Sequence, residues 1–85
     1  MREDMDETHE LLERGFTVLP PKKSGDPYSF QIGPSDADCI LIWKTIAGWV
    51  SARRKNLVFG DSKCHGELER ATYEAKVAAN IYYGM

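Results

Sequence analysis

The stretch from Ser35 to Lys55, SDADCILIWKTIAGWVSARRK, constrains this chain more than any other part, because it concentrates the apolar residues and ends in three consecutive cations. In a chain of 85 residues the core is small, with roughly 60–65% of the unfolded surface buried on folding, so the rest must be arranged to cover this segment. Its opening carries a helix-start signature. Pro34 precedes Ser35, whose hydroxyl can accept from an early backbone N–H, and Asp36 and Asp38 suit the positive end of a helix. At about 100° per residue, Cys39, Ile40, Ile42, Trp43, Ile46, Ala47, Trp49 and Val50 form one broad arc, with Lys44, Gly48 and Ser51 on a narrow opposite stripe. Arg53, Arg54 and Lys55 fall where a helix C-terminus attracts cations, and Asn56 suits a left-handed exit. The pattern therefore predicts a central helix over Ser35 to Lys55. A competing reading makes Cys39 to Trp43, a short run rich in isoleucine, a buried strand feeding a shorter helix from Lys44.

The flanking segments read as follows. Met5, His9 and Leu12, with Thr8 and Leu11 beside them, recur at helical spacing, Glu10 can pair with Arg14, and Gly15 stops the run, which predicts a first helix from Asp4 to Arg14. Phe16 to Leu19 reads as a strand ended by Pro20-Pro21. The turn formers Lys22 to Pro27 follow, and Tyr28 to Ile32 alternates apolar and polar as a strand with one wet face. Leu57 to Phe59 allows a third short strand before a turn at Gly60-Asp61-Ser62. The last helix begins near Ser62 or Gly66 and runs to Tyr82, with Leu68, Ala71, Ala75, Ala78, Ala79 and Tyr82 along one side. Tyr73, Val77 and Ile81 lie at i, i+4, i+8 on nearly the opposite side, so this helix is apolar on two faces. The expected fold is α+β: a single domain over residues 1–85 in the order α-β-β-α-(β)-α, an antiparallel hairpin packed on helices, with residues 1–4 a frayed acidic tail.

Composition excludes several classes. With 42% hydrophobic and 28% charged residues the chain fits a globular domain, and it holds no uninterrupted apolar run near the ~18 residues of a membrane span and no signal peptide, so a soluble cytoplasmic protein is expected. Cys39 and Cys64 make no disulfide framework. Charge is polarised: residues 1–13 carry a net −5 and residues 44–63 a net +4, which suggests either an internal dock or two opposed exterior faces.

Few residues suggest chemistry. Cys64-His65, placed in the turn before the last helix, is the one pairing that hints at a thiol nucleophile, but neighbouring side chains diverge and His65 is badly placed as its base. His9, Cys39, Cys64 and His65 lack the paired spacing of a zinc module, and the isolated glycines form no phosphate loop. No enzyme, cofactor or metal is expected. Arg53, Arg54 and Lys55 beside Trp49, with Lys63, Arg70 and Phe59 nearby, offer an alternative function as a nucleic-acid contact, which the acidic N-terminus opposes. The preferred reading is a protein-protein interaction module, an adaptor, inhibitor or small regulatory subunit of the size that phages and mobile elements encode. Its expected partner-binding residues are Arg53, Arg54, Lys55, Trp49, Tyr73, Val77, Ile81, Tyr82 and Tyr83, and its partner is another protein or a second copy bound through the Tyr73/Val77/Ile81 stripe. On this reading, reversing all three charges at 53–55 leaves folding unchanged.

Overall fold

The computed structural model describes residues 2–21, 23 and 25–85. Met1 of the expected tail, Lys22 and Ser24 of the expected loop, and the side chains of residues 2–6, among them Met5 and the acids Glu3, Asp4 and Asp6, lie outside the described residues.

Ser35 to Lys55 is not a helix. Cys39–Thr45 is a strand (β3) that turns at Ile46-Ala47 into a second strand, Gly48–Lys55 (β4), with Thr45 paired to Gly48 and Cys39 to Arg54. The competing reading has its strand, but the helix it placed from Lys44 is also absent. Gly48 makes the turn feasible: its φ is +119°, and an added Cβ would sit 2.7 Å from the Gly66 carbonyl oxygen. The helix-start residues serve a loop instead, with Asp38 N–H donating to Ser35 Oγ at 3.3 Å.

Among the described residues the order is α1 (Arg2–Glu13), β1 (Thr17–Leu19), β2 (Ser29–Ile32), β3, β4, β5 (Val58–Gly66) and α2 (Leu68–Tyr83). The expected α+β class with a hairpin packed on helices holds, while the α-β-β-α-(β)-α order gives way to α-β-β-β-β-β-α. The strands form one antiparallel sheet in sequence order. The expected third strand extends well beyond Phe59, because Gly60-Asp61-Ser62 does not turn the chain but sits at a register shift opposite Ala52 to Arg54. Cys64 and His65 are therefore strand residues, and α2 begins at Leu68.

Strand alternation explains the burial. Phe30, Ile32, Ile40, Ile42 and Trp49 point to one face, where they meet Leu11 of α1, Phe16 and the stripe Ala71, Ala75 and Ala79 of α2. Alanines let α2 approach the sheet closely, and each fully buried Ile or Leu in this layer contributes about 1.5–3 kcal/mol. Arg14 ties the helices together, donating to Thr72 Oγ1 at 2.9 Å and to Glu10 at 2.6 Å. Gly84 ends α2 in the left-handed region, its N–H returning to the Asn80 carbonyl.

The opposite face carries no helix, yet Cys39, Leu41, Val50 and Ala52 are buried there. Loop 33–38 folds over one end: the Asp36 carbonyl accepts from Arg54 Nε at 2.6 Å, and Gln31 donates to the Asp36 carboxylate. Trp43 and Phe59 lean together across β4, ring centroids 6.4 Å apart and edge-on, with the Arg54 guanidinium 5.5 Å from the Phe59 ring. Both faces of β3 are thus covered, which is why its first four residues are buried without alternation.

Candidate partner interface

The alanine face of α2 docks on the sheet, so geometry forces Tyr73, Val77 and Ile81 outward. They are 64%, 38% and 71% exposed, in a row along the outside of a helix of 16 residues. Beside this ridge runs a groove of about 930 Å³ lined in part by Arg14, Arg70, Tyr73, Lys76, Val77 and Met85. The ridge is apolar, and the groove wall carries Arg14, Arg70 and Lys76 against Glu67 and Glu69. Its floor is rigid where Arg14 grips Thr72, itself wholly buried and bonded to the Glu69 carbonyl.

The other expected site residues are scattered. Trp49 is 4% exposed and belongs to the core, because on β4 it faces the helices. The basic cluster is split by strand alternation. Arg53 lies under α2 with its guanidinium 3.7 Å from the centre of the Tyr82 ring and 5.8 Å from that of Tyr83, and its Nε and the Tyr83 hydroxyl are buried there without a hydrogen-bond partner. Arg54 points to the other face, held by the Asp36 carbonyl. Lys55 alone of the three is exposed. Tyr82 keeps an exposed edge, whereas Tyr83 is half-buried against the core. The structure thus brings Tyr73, Val77, Ile81 and the edge of Tyr82 onto one helix and leaves no joint phosphate-binding surface for the three cations.

Cys64 and His65 diverge. Cys64 is exposed with its thiol toward the Ala47 carbonyl, while the His65 ring meets Ser51 Oγ at 2.6 Å. Burial pushes the His65 pKa down, with Lys63 and Arg70 acting in the same direction and Glu74 opposing, so the ring is neutral at pH 7. A neutral imidazole on a hydroxyl is the first half of a nucleophile-base pair, but neither Ser51 nor His65 lines the groove beside α2 or the cleft beside α1. Cys39 is a buried thiol whose pKa is raised by that burial, and both cysteines are free.

The second cleft, about 1140 Å³, went unread in the sequence because its lining comes from distant segments: Glu7, His9 and Leu12 of α1, Tyr28 and Phe30, and Trp43, Lys44 and Ile46 at the β3-β4 turn. Lys44 reaches Glu7 at 3.8 Å, a contact between the acidic and basic segments of the chain. Phe30 and Trp49 at its base are core residues, so this cleft is the space left where α1 lies incompletely packed over the sheet.

No helix among the described residues is long and apolar enough to cross a membrane. No protein family, curated protein or solved structure matches this chain. The fold and the surface define its class by themselves: a five-stranded antiparallel meander with two helices on one face, the second presenting an apolar ridge.

Proposed function

We propose that this chain is a non-enzymatic protein-interaction module, acting as an adaptor, inhibitor or small regulatory subunit, and that the outer face of α2 is its docking ridge. The observation that carries the reading is the outward row of Tyr73, Val77 and Ile81 on a helix whose inner face is already satisfied by the sheet. A folded domain gains nothing internally from three large apolar side chains in water, and an i, i+4, i+8 row is the pattern by which a helix fills an apolar groove on another protein.

The test is the triple variant Y73S/V77S/I81S, compared with wild type in tagged isolation from the source cell. The variant keeps its melting temperature, since exposed positions change stability by about 0.5 kcal/mol or less, and loses a specific co-purifying protein with affinity down about 100-fold or more. A partner retained by the folded variant would place the interface elsewhere.

A further inference from the structure

We propose that the strip of sheet left open between α2 and the β5 edge binds single-stranded nucleic acid, with Arg53, Lys55, Lys63 and Arg70 on the phosphates and Tyr82 against a base. Strand alternation builds the strip. On β4, Ser51, Arg53 and Lys55 share the helix-bearing face, while Arg54 points away. Lys63 of β5 pairs with Ser51 and so stands on that face, and the His65 ring meets Ser51 Oγ there. Along α2, Arg70, Glu74, Ala78 and Tyr82 recur every fourth residue as one row on the side toward these strands. Tyr82 stacks on Arg53, and Arg70 and Glu74 are charged neighbours of His65. Cations thus stand at three levels, Lys63 beside Ser51, then Arg53, then Lys55, about 7 Å from one level to the next. Among the described residues none of these three forms an ion pair, Glu74 is taken by Arg70 at 3.6 Å, and Asp61 lies in the register shift opposite Arg53. A polyanion neutralises such a row, and an arginine already stacked on an aromatic ring is ordered for a phosphate. The half-exposed Tyr82 ring gives a base a stacking surface. The acids that oppose nucleic acid in the sequence are removed from the strip, because α1 packs by β1, at the other end of the sheet. The inference does not rest on the α2 docking ridge.

The test is fluorescence anisotropy of labelled oligothymidylate and oligouridylate, each of about 20 nucleotides, titrated with the whole chain from about 20 mM salt upward. Wild type binds at least one of them, with log affinity falling against log salt at a slope of about −2 to −3, as three or four contacts to single-strand phosphates require. K55E and K63E each weaken binding about tenfold or more. Lys76→Glu makes the same charge change on the other side of α2 and alters affinity less than about twofold. Y73S/V77S/I81S binds as wild type does. All three lysines are exposed, so melting temperatures stay unchanged. Absence of salt-dependent binding to both oligonucleotides overturns the proposal. So does a loss in K76E equal to that in K63E, which would reduce the binding to net charge. Polyglutamate bound more tightly than either oligonucleotide also overturns it and makes an acidic protein the occupant.

Discussion

Asn56 and Leu57 form the two-residue turn between β4 and β5, and both have left-handed backbones, with φ of 53° and 68°. In this region any Cβ crowds the following carbonyl, and asparagine is suited to it because its short polar side chain can hydrogen-bond locally, which leucine's cannot. The turn is held from outside: Leu57 N–H donates to the Ala37 carbonyl at 3.0 Å, and Asn56 N–H reaches Asp38 at 3.3 Å. Leu57→Gly should raise stability by about 1 kcal/mol, read as a higher urea midpoint at unchanged slope. A fall in the midpoint would mean the leucine side chain is anchored. His65 supplies a pH-dependent term with the sign of a lowered histidine pKa. The unfolded chain binds the proton more readily, so the contribution is present above about pH 6.5 and is lost as pH falls below that value toward the folded pKa. His65→Gln should flatten stability against pH between about 7 and 5, measured by thermal melts. An unchanged profile would remove His65 as the source.

At the scale of elements, the sequence was legible in the extent of the strand at Tyr28 to Ile32, which is β2 from Ser29, and in the alanine and apolar stripes of α2, which lie where helical spacing puts them. The wet face expected of β2 is not wet: Gln31 is buried, bonded to the Asp36 carboxylate under loop 33–38, while Tyr28, expected on the core face, is 54% exposed. The sequence was illegible in Cys39 to Lys55, where a strand covered on both faces shows the same unbroken apolar run as a buried helix. Gly48 and the β-branched residues Ile40, Ile42, Thr45, Ile46 and Val50 were the signals for strands and a turn. That misreading also grouped Arg53, Arg54 and Lys55 at one helix end, whereas period 2 separates them. The expected effect of reversing all three charges changes accordingly. Breaking the Arg53 stack on Tyr82 and the Arg54 bond to Asp36 should lower the melting temperature, while Lys55→Glu alone leaves it unchanged. Equal melting temperatures would show that neither arginine holds α2 or loop 33–38 in place. The alanine stripe is equally specific: Ala75→Leu overfills the contact of α2 with the sheet and should cost about 1–3 kcal/mol in denaturant unfolding.

For the whole molecule, the division of labour follows from which surfaces the sheet has already claimed. One face takes both helices, the other is roofed by Trp43, Phe59 and loop 33–38, and what remains outside includes the α2 ridge, the edges of the sheet, the outer side of α1 with Leu12, and the turn tips. Tyr73, Val77 and Ile81 could be read as a second stripe from spacing alone. That the stripe faces solvent rather than a neighbouring helix was not readable, because it depends on the central segment being sheet and leaving no third helix to cover it. The most direct test of the docking ridge is site-specific photo-crosslinking in the source cell, with a benzoylphenylalanine at position 77 compared with one at position 46, the fully exposed tip of the β3-β4 turn. A single protein adduct at position 77 and none at position 46 is the predicted result. An adduct at position 46 with none at position 77, or no adduct at either, would contradict it.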